Sequence, residues 1–351
     1  MQLNCKRYRF VLGCFSLLWV SLICTSLQAS SEEEVINKLP LAGHEHQVPQ
    51  KEVMKDSLGE EKVGKLSLPK LYEKLSPYVV KVKCLVDGSS KLVSGFFVSQ
   101  EGHVLAPILN GKDFCIETVH GQVFRAEKLG EDSVTSICLL KTKLTKQTVP
   151  YFSLVRSICQ LSIGQTVVSL SCKLGLNISP QLGYVTGFND RYFKFEWPMT
   201  FVRTSLRIDG GDCGGAVLNE QGSFLGMLLH ALQDSQETFF MPVTGLYKIF
   251  QDLLLHGRVR YGFVGVNTQV VFDNKYKRTC LQVVKVHALS PAEKAGLKEG
   301  DILLAVNDSD IDSIGNFKDS MFLSNPGDIV FIKYLRDDKE CVVRLEIGEK
   351  S

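Results

Sequence analysis

The side chain best suited to covalent chemistry in this sequence is a cysteine within a glycine-rich loop. Cys213 lies in the run Asp209-Gly210-Gly211-Asp212-Cys213-Gly214-Gly215. A thiol is a few per cent ionised at neutral pH and needs less activation than a hydroxyl group. Glycine also permits tight turns that other residues resist, so the same run is typical of a purely structural turn. The loop is compatible with both interpretations.

The remaining cysteines give no sign of a metal site. Eight cysteines follow residue 29: Cys84, Cys115, Cys138, Cys159, Cys172, Cys213, Cys280 and Cys341. No two of them form a C-x-x-C pair, so we expect no zinc site. We also expect no other metal and no cofactor. Most occupy apolar runs typical of strands, where a buried free thiol is the simplest interpretation. An oxidising compartment would permit disulfides, but their pairing does not follow from the sequence.

Composition indicates an ordinary globular protein with no affinity for nucleic acid. The 351 residues are 44% hydrophobic and 22% charged, which suits two or three domains. Forty basic and 38 acidic residues give a formal net charge of +2. Without a strong positive field or a basic stripe with interleaved aromatic residues, nucleic-acid binding is not expected.

The N-terminus is typical of an export signal. Lys6, Arg7 and Arg9 precede an apolar run over residues 10–27, and small residues follow at positions 29–31. We expect cleavage after Ala29, which would place the protein in the periplasm or cell envelope. An uncleaved membrane anchor is the alternative, because the run is nearly long enough to span a bilayer. Residues 30–66 are polar and aperiodic and are predicted to be a linker.

Two structural units are predicted after the linker. Short runs typical of strands alternate with turn signals across residues 67–257, which favours an all-β barrel or sandwich domain. These runs are 79–86, 95–98, 103–105, 122–126, 137–141, 166–171 and 223–229. Residues 243–255 carry apolar side chains at helical spacing, and Gly257 would end that helix.

A smaller, mostly β unit is predicted over residues 258–351. Its expected strands are 263–266, 281–286, 302–306, 329–334 and 341–347. Ser290, Pro291 and Glu293 stand at the N-cap, first and third positions of a predicted helix.

Longer motifs resemble one protein family. The run SPAEKAGLKEGDILLAVN at 290–307 resembles the core of bacterial PDZ domains. Residues 255–266 are similar to the junction between protease and PDZ domains in HtrA (DegP/DegS-type) proteases. Residues 71–82 and 240–243 resemble the beginning and end of the protease domain in that family. This resemblance spans about residues 67–350 and implies a trypsin-like double β-barrel followed by one PDZ domain.

The resemblance locates the three positions of the family's catalytic triad, but none of them holds the catalytic residue type. Proteases of this family use His, Asp and Ser. Their serine matches Cys213, their histidine matches Leu109 and their aspartate matches Ser136. Ser205, where the family usually has Asp, and the run Ser171-Cys172-Lys173, where it has G-N-P, are further departures. The resemblance also implies an oxyanion loop formed by Gly211, Asp212 and Cys213.

These departures favour a pseudoprotease over an enzyme. Leu109 cannot transfer a proton, and loss of a general acid or base typically costs 10²–10⁴-fold in rate. The alternative is an active endopeptidase that uses Cys213 as nucleophile with an unrecognised general base. The G-x-C-G-G frame around Cys213 also resembles the loop of picornavirus-type cysteine proteases. His103 and His230 lie nearest in sequence to the site, although each has the simpler interpretation of an ordinary surface or strand histidine. The other histidines lie in the linker, in a turn beside Gly121 or around the C-terminal unit.

The PDZ resemblance implies that the protein binds peptides. A PDZ domain adds a peptide as a strand along a groove. The residues implied to line this groove are Phe263, Val264, Gly265 and Val266 in the carboxylate-binding loop, and Phe317, Ser320 and Met321 on a helix. Core packing is the alternative role for Phe317 and Met321. We expect partners to be unfolded or C-terminal peptides of envelope proteins with an apolar last residue.

The resemblance also implies a homo-oligomer, specifically a trimer formed through aromatic residues near the start of the protease domain. The predicted linker contains no Phe or Trp before Tyr72, which removes part of the support for that assembly.

Overall fold

The computed structural model of the chain describes residues 66–86, 89–144, 148–154, 161–192, 195–231, 237–273 and 277–349. All of them belong to one compact unit, Gln47–Ser351. The predicted signal segment 1–29 and linker residues 30–65 lie outside the described residues. Within the part of the chain that the structure describes, no helix is both long and apolar enough to span a membrane.

The strands between residues 79 and 142 form a closed β-barrel with the order β1-β2-β3-β6-β5-β4. Its strands are β1 (Val79–Val86), β2 (Ser89–Phe97), β3 (His103–Pro107), β4 (Lys112–Thr118), β5 (Val123–Asp132) and β6 (Ile137–Thr142). Alternation along β1 places Val80 and Val82 in the barrel interior. On the outer side, Lys81 and Lys83 both contact Glu117, at 3.0 and 2.5 Å.

A second closed barrel follows with the order β10-β11-β12-β9-β8-β7. Its strands are β7 (Thr166–Ser171), β8 (Ser179–Tyr192), β9 (Phe195–Thr204), β10 (Ala216–Leu218), β11 (Phe224–Ala231) and β12 (Thr238–Pro242). A large buried cluster joins the two barrels, with Phe96 from the first and Leu170 and Phe201 from the second. This seam matters for the site, because the loop that carries Cys213 lies directly before β10.

Two helices pack against the barrels through the buried cluster that joins them. α1 (Leu68–Leu75) continues into a 3₁₀ turn, Ser76–Tyr78, and a second 3₁₀ turn, Lys173–Gly175, precedes β8. α2 (Val243–His256) follows the second barrel and ends at Gly257, whose φ of 68° is the left-handed conformation that glycine adopts without strain. The helix predicted over 243–255 is therefore confirmed.

The C-terminal unit is a sheet with two helices. Its main path runs β14 (Val266–Asp273), β15 (Arg278–Val286), β16 (Ile302–Val306), β18 (Ile329–Arg336) and β19 (Lys339–Glu346), and β17 (Ser309–Asp310) pairs with β16. β13 (Gly262–Phe263) pairs separately with β20 (Gly348–Glu349). The helices are α3 (Pro291–Ala295) and α4 (Ile314–Leu323). Ser290 caps α3 as predicted, since its hydroxyl accepts a hydrogen bond from the backbone nitrogen of Glu293 at 3.2 Å.

One predicted strand is corrected. The run 263–266 was expected to be continuous, but β13 ends at Phe263 and β14 begins at Val266. Gly265 has a φ of 86°, which interrupts an extended strand. The interruption forms the loop expected to bind a carboxylate.

The polypeptide between the barrels and the C-terminal unit is held by a buried ion pair. Nζ of Lys248 donates to Asp252 at 2.6 Å, to the carbonyl oxygen of Arg260 at 3.1 Å and to Asn325 at 2.8 Å. The backbone nitrogen of Arg260 donates to the same Asp252 carboxylate at 2.9 Å. Because a buried charge is costly unless it is fully paired, these bonds fix the path of the connecting segment.

Candidate active-site cleft and peptide groove

The Cys213 loop is wedged against the first barrel. Gly211 and Gly214 have φ values of 92° and 90°, a region that favours glycine. A Cβ atom at Gly214 would lie 2.0 Å from the carbonyl oxygen of Ser94 and 2.4 Å from Cδ of Pro107. Two of the glycines are therefore required by backbone geometry and close approach, independently of any catalytic role.

The thiol of Cys213 is turned into the protein. Its Sγ donates to the carbonyl oxygen of Leu229 at 3.1 Å, and the side chain packs against the cluster shared by both barrels. Burial raises the pKa of this thiol to about 12. Since the thiolate is the nucleophilic form, this environment suppresses the reactivity of Cys213.

Leu109 lies just beyond β3 and packs in the interior of the first barrel, in the same cluster as Phe97 and Cys138. Cys213 packs against a different cluster, the one that joins the two barrels. Burial of an apolar side chain in the barrel core stabilises the fold, which favours this position of Leu109 over one in the cleft.

Ser136 is hydrogen-bonded to the residue directly before Leu109. Its carbonyl oxygen accepts a hydrogen bond from the nitrogen of Ile108 at 2.9 Å. The Ser136 residue itself is exposed and has a φ of 60°. The structure thus brings the segments of all three predicted triad positions together. Ile108 bonds to Ser136, and Gly214 packs on Pro107.

A nearby carboxylate is already used structurally. Oδ2 of Asp132, at the end of β5, accepts bonds from the nitrogen of Thr135 at 2.9 Å, from its hydroxyl at 2.5 Å and from the hydroxyl of Tyr261 at 2.6 Å. Burial, reinforced by the Asp132 charge, raises the pKa of Tyr261, so this phenol keeps its proton and donates it.

The predicted oxyanion loop keeps an ordered backbone. The carbonyl oxygen of Gly210 accepts from the nitrogen of Leu174 at 2.5 Å, and that of Asp212 accepts from Gly215 at 2.9 Å. In a trans peptide the N–H points opposite to the C=O. The N–H groups of Gly211 and Cys213 therefore point away from those partners.

Two serines that hold this loop were not predicted as site residues. Ser94, fully buried on β2, donates from its nitrogen to the carbonyl oxygen of Cys213 at 2.9 Å and from its hydroxyl to that of Gly211 at 2.7 Å. Its hydroxyl also accepts from the nitrogen of Cys172 at 2.8 Å. Ser171, known from the sequence only as a family departure, donates to the buried carboxylate of Asp212 at 2.7 Å. A serine within a strand carries no sequence signal for such contacts.

The two candidate histidines have other surroundings. Nδ1 of His103 lies 2.7 Å from the hydroxyl of Ser99, at the opposite end of β3 from Pro107. The ring of His230 stacks 6.0 Å from that of Trp197, and burial lowers the pKa of His230 to about 4. Across the described ranges, no three His, Cys, Asp or Glu side chains form a group that could hold a metal ion.

The predicted carboxylate-binding loop closes on α3. A Cβ atom at Gly265 would lie 2.2 Å from Cβ of Ser290. The carbonyl oxygens of Val264 and Gly265 accept from Ala292 and His287, both at 2.9 Å. The N–H groups on the other side of these peptides, those of Gly265 and Val266, are therefore directed away from Ala292 and His287.

The groove helix α4 has two differently occupied faces. Phe317 and Met321 are each 9% exposed and pack in the core of the C-terminal unit, so core packing accounts for most of their surface. The hydroxyl of Ser320 donates to the carbonyl oxygen of Asn316 at 3.0 Å. Lys318 contacts Asp190 at 3.1 Å and Glu196 at 3.2 Å, both in the second barrel. The helix thus connects the predicted groove to that barrel.

Comparison with known protein families and structures supports this architecture. The trypsin-like peptidase domain family matches residues 93–227 and the PDZ domain family matches residues 262–347. The "Probable periplasmic serine endoprotease DegP-like" of Chlamydia pneumoniae is 26% identical over 73% of this chain and 54% of its own length. Serine endoprotease DegS of Escherichia coli (strain K12) is 24% identical over 74% of this chain and 77% of its own length. The chain spans about half the length of the DegP-like relatives it matches.

Solved structures agree in fold. The HtrA-type protease AlgW with tripeptide superposes with a TM-score of 0.67 at 20% identity, over 82% of this chain and 98% of that chain. A serine endoprotease from Yersinia pestis gives 0.58 at 23% identity, over 82% and 99%.

Fold and matched domains define a protein with a trypsin-like double barrel followed by a PDZ domain. The chain is similar to HtrA-type proteases across both domains, and the mostly β fold expected from the sequence is confirmed.

Proposed function

We propose that this HtrA-like chain is a pseudoprotease that binds exposed peptide ends of envelope proteins through its PDZ domain, as a sensor, chaperone or scaffold. In this proposal residues 67–257 are a protease-like domain and residues 258–351 are the PDZ domain. The observation that carries it is the state of Cys213, whose thiol donates to the carbonyl oxygen of Leu229 and has its pKa raised to about 12 by burial.

Loss of catalysis is supported by what surrounds the predicted nucleophile. A reactive cysteine needs partial exposure and a cationic neighbour, usually a histidinium, that lowers its pKa. Leu109 offers no proton transfer and packs in a barrel core. The ordered amides of Gly211 and Cys213 are compatible with retention of the ancestral loop for structural reasons, since Asp212 and Ser94 hold it in place.

Peptide binding is supported by the C-terminal unit. The N–H groups of Gly265 and Val266 provide donors for a terminal carboxylate, and strand addition beside β14 would supply main-chain hydrogen bonds. AlgW, similar in fold, has been solved with a tripeptide and with a decapeptide. An envelope location is supported by the DegP-like relatives, which are named probable periplasmic endoproteases, and by the expected signal segment.

The test is a paired assay on the purified chain without residues 1–29. We expect it to bind fluorescent peptides with an apolar C-terminal residue, and to bind poorly when that carboxylate is amidated. Hydrolysis of unfolded casein should not exceed that of a Cys213→Ala control. Cleavage that this single substitution abolishes would establish the cysteine endopeptidase instead.

A further inference from the structure

The strand beside the proposed groove has an open edge. β14 ends the path β14-β15-β16-β18-β19, and among the described residues no strand pairs with its other side. Such an edge presents unpaired N–H and C=O groups that recruit an extended chain.

The helix that forms the other wall is shorter than this strand. α4 has ten residues, about 15 Å, whereas the eight residues of β14 span about 27 Å. The C-terminal end of α4 lies at the carboxylate loop, since a Cβ atom at Gly262 would be 2.7 Å from the carbonyl oxygen of Met321. The helix therefore ends, and the strand begins, at the same end of the groove. About 12 Å of β14 extends beyond the first turn of α4.

The uncovered part of β14 carries apolar side chains. Val270 is 53% and Phe272 is 62% exposed. Strand alternation puts both on the face of Val266, which packs against the core of the C-terminal unit. Their cross-strand partners agree, because Val270 lies opposite the core residue Leu281. An apolar stripe thus continues the groove along an open strand edge.

We infer that the groove takes an extended peptide of about eight residues or more, whose upstream apolar side chains dock on Val270 and Phe272. In an antiparallel addition, residues directly opposite share a face. If the last peptide residue lies opposite Val266, the fourth and sixth residues before it meet Val270 and Phe272. The partner class is therefore an unfolded segment with alternating apolar residues of another protein. This inference rests on the proposed peptide-binding function.

The test uses the purified full-length chain and three synthetic probes. The first is a peptide of about ten residues with an apolar last residue and apolar residues at the two upstream positions. The second has Ser at those two positions, and the third is the last three residues alone. We expect the first to bind about tenfold more tightly than the second, because two apolar contacts are lost.

Variants assign this difference to the surface. Val270→Thr with Phe272→Thr should remove the tenfold preference while leaving tripeptide binding intact. Val342→Thr is the matched control. Val342 is 64% exposed and pairs with Lys333, on the face of the sheet opposite to that of Val270 and Phe272. Circular dichroism checks folding.

The outcomes separate the two proposals. Equal binding of the two long probes, or equal loss in the Val342 control, overturns the extended site but not the groove. No binding of any probe overturns the proposed function as well. A concentration-dependent dimer that the Phe272 substitution dissolves would assign the open edge to a second copy of this chain and overturn the peptide assignment.

Discussion

Oδ1 of Asp319, in the groove helix α4, accepts a hydrogen bond from the backbone nitrogen of Thr200, in β9 of the second barrel, at 2.6 Å. A side chain of the PDZ domain thereby completes the backbone bonding of a barrel strand. Burial raises the pKa of Asp319 to about 6; the Thr200 hydrogen bonds oppose this shift, nearby Asp190 adds to it, and Lys318 reduces it. The contact between the domains therefore contains a carboxyl group that titrates in a mildly acidic range.

This contact should make stability depend on pH. The folded pKa of about 6 exceeds the ordinary value of 3.8. Protonated Asp319 therefore stabilises the folded state, and this stabilisation is fully present below about pH 4. It is lost as the pH rises through about 6, which lowers the free energy of unfolding by up to about 3 kcal/mol. Asp319→Asn should flatten this part of the profile, as measured by urea unfolding from pH 4.5 to 7.5. Glu299→Gln, at an exposed position, is the control; a profile unchanged in Asp319→Asn would refute the assignment.

Cys213 should be nearly inert to alkylation. With its pKa raised to about 12 by burial, its thiolate fraction near pH 8 is about a thousandfold below that of an ordinary thiol. We expect iodoacetamide to modify native Cys213 at least about a hundredfold more slowly than the denatured chain. Peptide mass mapping measures this, with partly exposed Cys341 as the internal reference. Rapid modification of Cys213 at pH 6 would reveal a paired thiolate.

Ser94→Ala should destabilise the fold. The hydroxyl accepts from Cys172 and donates to Gly211, and removing it leaves buried backbone groups with fewer partners. We expect a loss of about 2–3 kcal/mol in the free energy of unfolding. Ser90→Ala, at an exposed position on the same strand, should change it by less than about 0.5 kcal/mol. Similar values for both variants would show that the Ser94 bonds contribute little.

Tyr261→Phe should weaken the junction between the domains. The substitution removes the 2.6 Å bond to Asp132, while Thr135 still bonds that carboxylate. We predict a loss of about 1–2 kcal/mol and faster proteolysis between α2 and β13. Exposed Tyr151→Phe is the control. Unchanged unfolding and proteolysis would show that the ion pair of Lys248 and Asp252 is the principal interaction that stabilises this junction.

Elements with strong local signals were predicted to the residue. The strands expected at 79–86, 166–171 and 302–306 coincide with β1, β7 and β16. Apolar alternation specifies them without long-range information. β4, β8 and β9 were not predicted, because their polar residues obscure the alternation and barrel closure supplies their partners.

The sequence by itself determined two mostly β units, the turn around Cys213 and the absence of a histidine at position 109. Each of these depends on residue type and near neighbours, such as glycines that permit a positive φ. The particular fold of each unit was implied by the family resemblance. Only the tertiary structure decided where the thiol points and what holds its loop. The bond from Cys213 to Leu229 and that from Ser94 to Gly211 join segments 16 and 117 residues apart. The bond between Asp319 and Thr200 joins different domains. Such contacts form only when the barrels and the PDZ domain pack together, and no local pattern encodes them.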